Sequence, residues 1–156
     1  MNKDYITLDK AYQILNQKLF KHKLPKCNLL FCWGNTNTGA AFSPHHFGTN
    51  YFKNDLDTIK MNLNLLYIKS IEEILSYLVH EMVHLWQHHF GKSKTKYELS
   101  HDYEWANKME SIGLIPSDTG QEGGRKTGNK MNNYIDKTGK FYKVAKAIIK
   151  KYKYYE

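Results

Sequence analysis

The stretch from Ser70 to Gly91 constrains the fold more than any other. Ser70 and Glu73 form an S-x-x-E capping box, in which side chain and backbone satisfy each other's orphan N–H groups. Gly91 stands where a helix C′ glycine belongs. Between them Ile71, Ile74, Leu75, Leu78, Met82, Leu85 and Trp86 repeat at helical spacing. An apolar stripe that broad must be covered by other elements, so the chain is built around this helix. At 156 residues, with 41% apolar and 14% aromatic side chains, it is long enough to supply the cover as one domain.

The surrounding segments read as a mixture of helices and short strands. Leu8, Ala11, Tyr12, Leu15 and Leu19 predict a first helix, with Thr7 as its cap and Pro25 as a stop. "CNLLFCW" predicts a strand buried on both faces. "TNTGAAF" predicts a second strand, its glycine marking a bulge or a close approach. "DTIKMNLN" predicts a third, with Ile59, Met61 and Leu63 on one side and Thr58, Lys60 and Asn62 on the other. A further helix is expected after Ser100, packed through Trp105, Met109 and Ile112 and ended by Gly113 and Pro116. A Gly-rich polar run, "PSDTGQEGGRKTGNKMNN", reads as a flexible loop near the mouth of any site. The closing "KFYKVAKAIIKKYKYYE" reads as a basic helix packed through Phe141, Val144, Ala145, Ile148 and Tyr152. The expected class is α+β: an N-terminal helix, a small, mostly antiparallel three-stranded sheet, the central helix, a following helix and a basic C-terminal helix.

The central helix also carries "LVHEMVHLWQHHFG". At about 100° per residue, His80, His84 and His88 fall on one side, away from the apolar stripe. His89 falls with the stripe or frays at the helix end. A solvated polar face would explain histidines as such. It does not explain H80-E81-x-x-H84, in which two imidazoles one turn apart can chelate one zinc ion and the glutamate is offset towards a water. His88 is excluded as the third ligand: it stands eight residues from His80, roughly 12 Å along the axis. The metzincin spacing fails too, because Gln87 and Phe90 occupy its glycine and histidine positions. His101 and Glu104, three apart on the next expected helix, remain as alternatives, since either type can ligate zinc. His45 and His46 read as loop residues.

Several other functions are disfavoured. The first ten residues, "MNKDYITLDK", hold no apolar h-region, and no apolar run is long enough to span a bilayer, so a cytoplasmic protein with no membrane partner is expected. Cys27 and Cys32, the only cysteines, make a poor zinc pair and read as buried free thiols. "GQEGGRKT" superficially matches a phosphate loop, but Arg125 replaces its second glycine, which rejects nucleotide binding. The net charge of +8 and pI of about 9.3 favour acidic partners, nucleic acid foremost. Seven lysines lie between Lys137 and Lys153, interleaved with aromatics. Lys143, Lys146 and Lys150 should line one helix face and are the candidate DNA contacts; the bland alternative is a solvated face.

The segments "AYQILNQKLFKHKLP", "LVHEMVHLWQHHFG" and "SHDYEWANKMESIGLIPS" resemble, in order and spacing, the SprT-like family of Spartan-type zinc metalloproteases, over roughly residues 5–116. The later "TGQEGGRKTGNKMNNYI" is similar to the continuation in bacterial and phage members. The resemblance implies one SprT-like domain over 1–156, with residues 117–156 as Gly-rich loop and basic extension. It implies Zn2+ held by His80, His84 and His101, with Glu81 catalytic and Glu104 near the site or a surface acid. Many members carry a cysteine zinc ribbon; two cysteines cannot build one, so DNA binding through such a ribbon is not expected. The expected activity is a zinc endopeptidase on DNA-associated proteins, acting as a monomer through a zinc-activated water and Glu81 as base. Tyr97, Tyr103 and Tyr134 are candidate oxyanion donors, and a substrate peptide is expected along an edge strand near "TIKMNLN". Two alternatives stand beside this: a zinc-bearing DNA-binding module with little protease activity, and a cytosolic protease that cuts one regulator without DNA.

Overall fold

A computed structural model describes residues 6–34, 38–45, 55–93 and 101–152. The class is α+β. Helix α1 spans Leu8–Phe20, capped by the Thr7 side chain, which accepts from Lys10 N–H. It ends in two left-handed residues, Lys21 (φ 54°) and His22 (φ 61°). The buried Asn16 amide holds that turn by bonding Leu24 in both directions, at 3.0 and 3.1 Å. Tyr12 then donates to the Pro25 carbonyl (2.6 Å), which aims the chain into strand β1, Asn28–Cys32.

Strands β2 (Ala40–Ser43) and β3 (Thr58–Asn62) complete a three-stranded sheet in the order β1-β3-β2. The sheet is mixed: β1 and β3 run parallel from Asn28↔Thr58, and β2 and β3 antiparallel from Ala40↔Met61. The expected antiparallel bias therefore holds for one of the two pairings. β3 is the central strand, so it is not the open edge that the sequence suggested; β2 and β1 are the edges. Ile59 and Met61 are fully buried and Lys60 is exposed, as expected, but Thr58 and Asn62 on the Lys60 side are buried too. β1 is only half-buried and becomes exposed at Phe31 and Cys32. Phe31 and Cys32 are consecutive and so point to opposite faces, which means that neither face is covered at this end and corrects the reading of a strand buried on both faces. Both cysteines are free; Cys27 is half-buried, its thiol pushed up to about 12, mainly by burial, and Cys32 is exposed.

After a short helix α2 (Leu65–Ile68) comes α3, Ile71–Phe90. Its capping box is present in both directions: Ser70 Oγ accepts from Glu73 N–H, and the Glu73 carboxylate accepts from Ser70 N–H. Gly91 does close the helix, but at φ −66°. Glycine is required there by crowding, because a Cβ would lie 2.4 Å from Gln87 O and 2.5 Å from a Glu104 carboxylate oxygen. Leu78, Val79, Met82, Val83 and Leu85 are wholly buried. At about 1.5–3 kcal/mol per buried side chain, this helix is the main source of core energy.

The helix that follows, α4, spans Tyr103–Ile112. Its cap is Asp102, whose carboxylate accepts from Trp105 N–H (3.0 Å). Ser100, the expected cap, lies outside the described residues. His101 therefore precedes the helix, in an isolated bridge to Gly128, and does not share a helix face with Glu104. Two strands follow that were not expected: β4 (Leu114–Ser117) pairs antiparallel with β5 (Asn132–Ile135). The Gly-rich run between them folds back over the front of α3 and is held by its own bonds, such as Ser117 Oγ to Gln121 O and Arg125 N–H to Asp118. Helix α5, Lys140–Lys151, buries Phe141, Ala145 and Ile148 against α1 and α3.

Candidate metal centre

Helix α3 is buried on nearly every side, so the face with His80 and His84 is not wet: the two are 9% and 4% exposed. Their cover is Trp105 from α4, whose ring lies 5.0 Å from His80 and stacks on His84 at 15°. The same indole meets the ring of His101 at 4.6 Å. His101 is held in register by a neighbour: Gln87, one turn beyond His84, donates to Asp102 (2.9 Å), the residue after His101. One loop residue thus caps α4 and ties it to α3.

The outcome is convergence of three imidazoles. His101 Nε2 lies 3.2 Å from His80 Nε2 and 3.1 Å from His84 Nε2. The outer nitrogens reveal what these contacts are. His101 Nδ1 faces the carbonyls of Gly128 (3.2 Å) and Asn129 (3.1 Å), so it carries the proton. His80 Nδ1 donates to Asn133 Oδ1 (3.2 Å). In neutral rings with protonated Nδ1, the Nε2 atoms of His80 and His101 are bare lone pairs aimed at each other. Such an arrangement could hold a cation between them. Two nitrogens bound to one zinc in a tetrahedron lie roughly 3.3–3.4 Å apart, so the spacing fits that ion. The neutral state is the one the surroundings impose. Burial, then the neighbouring His101, holds His80 down at about 4; burial likewise lowers His84 and His101. His84 Nδ1 has no hydrogen-bond partner among the described residues, so that ring is held by packing, on Trp105 and against His80 and His101.

Glu81 turns off the helix towards β2. It is 7% exposed, and burial pushes its carboxyl up to about 8, against the opposing hydrogen bond from Phe42 N–H. It lines, with the three histidines, a cleft of about 510 Å³ walled by β2 on one side and by residues 129–132 on the other. Gly39 at the head of β2 is a close approach, as expected: a Cβ there would lie 2.4 Å from the ring of Tyr77.

Among the other sequence candidates, Glu104 is turned away from the histidines, accepting from Lys92 N–H (2.7 Å) and Ser93 N–H (3.1 Å). His88 and His89 are exposed at the end of α3, His89 having left the core side for Asp57. Tyr103 is 74% exposed, and neither it nor Tyr134 lines the cleft; Tyr97 and His46 lie outside the described residues. Tyr77 and Lys130 are among the polar side chains on the cleft wall that sequence reasoning passed over, as it did Asn133 and the two carbonyls. Nothing in the local sequence marks Lys130, Asn133 or the two carbonyls, because the β4–β5 return places them; Tyr77 sits on α3 and reaches the cleft beside Gly39.

A helix-borne pair of imidazoles, joined by a third from the next loop and flanked by a buried carboxylate, defines a metallopeptidase-type domain. The SprT-like family profile matches residues 8–122, well over half of the chain, and the chain belongs to the SprT-like family. No curated protein matches it.

Proposed function

We propose that the protein is a zinc-dependent endopeptidase, with His80, His84 and His101 as the metal ligands and Glu81 as the general base. The observation that carries this is the meeting of three Nε2 atoms in one cluster, with the outer nitrogens of His80 and His101 already hydrogen-bonded. Zinc there supplies a Lewis acid that polarises a peptide carbonyl and brings a water's pKa towards neutrality. Glu81 takes the water's proton as it attacks and returns it to the departing amine. Phe42 N–H keeps the carboxylate aimed into the cleft meanwhile.

The β2 edge is the substrate rail in this reading. Gly39 O accepts from Asn62 N–H (2.9 Å), so the Gly39–Asn62 pair is hydrogen-bonded within the sheet. By the antiparallel alternation, the N–H and C=O of Ala40 and Phe42 point away from β3. Phe42 N–H is spent on Glu81, which leaves Ala40 to pair with an extended peptide lying in the cleft. The oxyanion donor would come from Tyr77 or Lys130, which line the same cleft.

The substrates proposed are proteins at or near DNA, recruited through the exposed Lys143 and Lys150 of α5. Lys146 is already paired with Glu72 (2.8 Å) and stacked on Tyr142, so it offers less to phosphate than its neighbours. That pairing favours, on the charge side, the alternative of a protease that cuts one regulator without DNA. Glu81→Gln is the central experiment. It keeps shape and removes the base, so fold and zinc content should persist while peptide cleavage is lost. Full activity in that variant, with contaminating proteases excluded, refutes the assignment.

A further inference from the structure

A second set of metal-binding side chains gathers away from the cleft. One ligand atom each from Asp57, His88 and His89 lies within 4.8 Å of the others. Asp57 stands just before β3 and is 6% exposed. Its backbone is fixed by Asn28 N–H, which donates to Asp57 O (2.8 Å). Its Oδ1 is taken by His45 N–H (2.7 Å), which turns Oδ2 towards His89 Nε2 at 2.5 Å. His88 is the adjacent residue in the last turn of α3. Its ring packs on His89 (4.9 Å) and Phe42 (5.9 Å) and makes no hydrogen bond among the described residues.

An ion pair between Asp57 and His89 would account for two of the three groups. It does not use the second imidazole, which makes no hydrogen bond among the described residues and lies within ligand reach of a buried carboxylate whose other oxygen is already bonded. We propose that Asp57, His88 and His89 form a second metal site, separate from the three-histidine centre, for a zinc-class divalent cation. One carboxylate oxygen and two imidazole nitrogens suit zinc, copper or nickel, whereas magnesium and calcium prefer oxygen alone. Water fills the remaining positions. To admit the ion, the 2.5 Å contact must open to roughly 3.3 Å, the separation of two ligands on one tetrahedral zinc. The His89 side chain is 36% exposed and has room to do so. With three protein ligands and two exposed imidazoles, this site binds more weakly than the buried centre. Occupied, it joins the end of α3 to the entrance of β3, beside the Phe42 that holds Glu81.

The inference does not depend on the peptidase reading, and its test separates them. The full chain, stripped by a chelator, is titrated with Zn2+ alone, and bound metal is counted after equilibrium dialysis. Wild type should take two equivalents, and the His88→Ala/His89→Ala double variant one. His88→Ala alone should weaken the second equivalent about tenfold or more. Excess Mg2+ should not displace it. In a His80→Ala/His84→Ala background, zinc should still raise the melting temperature, and adding the two surface substitutions should abolish that rise. Zinc binding of the same stoichiometry in wild type and in the double surface variant, or displacement by Mg2+ of the equivalent that the variant loses, would each overturn the proposal; a single wild-type equivalent that the variant loses would instead overturn the three-histidine reading. The double surface variant keeps the wild-type core, so the test stands even where the His80/His84 background fails to fold.

Discussion

Asn133 is the sharpest point at which to press the proposed metal centre, because it touches no metal and yet holds a ligand. Its Oδ1 accepts from His80 Nδ1–H at 3.2 Å, and so sets which nitrogen of His80 presents a lone pair to His101. Loss of such an outer partner typically weakens metal binding 10- to 100-fold, which is about 1.4–2.8 kcal/mol. Asn133 is only half-buried. Asn133→Ala lets water replace the lost acceptor, so a loss near tenfold is expected. Asn133→Leu keeps the volume and excludes that water, which should move the loss towards a hundredfold. Asn133→Asp keeps an acceptor and adds charge, so affinity should match wild type or exceed it. Competition with a chromophoric chelator at fixed pH ranks the four proteins, and circular dichroism checks that β5 still pairs. The reasoning is refuted by an alanine variant of wild-type affinity, or by an aspartate variant that loosens zinc as much as alanine does.

Three further outcomes are expected. His80→Ala, His84→Ala and His101→Ala should each lose the tight zinc in metal analysis, while His88→Ala retains it; the reverse pattern would overturn the ligand set. Replacing Lys143, Lys146 and Lys150 with glutamine should weaken DNA binding and flatten its salt dependence, each lost phosphate contact lowering the slope by roughly 0.7–0.9, with zinc content unchanged. Since Lys146 pairs with Glu72, Lys146→Gln alone should contribute least, and anisotropy titrations at several salt concentrations read the difference. Gly113→Ala should cost at least about 1–2 kcal/mol in urea unfolding, because the residue holds φ 97° and its Cβ would meet Gly139 Cα at 3.0 Å.

What could be read from the sequence was local. The α3 capping box, the Thr7 cap and the buried faces of β3, α4 and α5 all follow from spacing within one element, and they stand as expected. His80, Glu81 and His84 were legible for the same reason, since one helical turn relates them. His101 was not: spacing left it level with Glu104, and only the family resemblance favoured it. What distinguishes the two in the structure is long-range, the Gln87–Asp102 bond and the Gly128 and Asn129 carbonyls. β4 and β5 escaped notice because "LIPS" and "NNYI" are four residues long, one with a proline and one with two asparagines. Their pairing is decided by each other and by the wholly buried Leu114, not by intrinsic preference. Asp57 and His89 lie 32 positions apart and carry no pattern that would join them.

The order in which the chain is made gives the β4–β5 return another meaning. The three imidazoles are all translated by residue 101, but the groups that orient two of them, at 128, 129 and 133, come later. At 5–20 residues per second, the ribosome takes roughly 2–6 seconds to cover the distance from His101 to Asn133. Through that interval the nascent chain holds all three imidazoles but not the groups that fix the outer nitrogens of His80 and His101. In the peptidase proposed above, a centre arranged this way would stay idle while its own unfolded segments are the nearest peptides available, and would gain its last supports only as the far wall of the cleft is laid down.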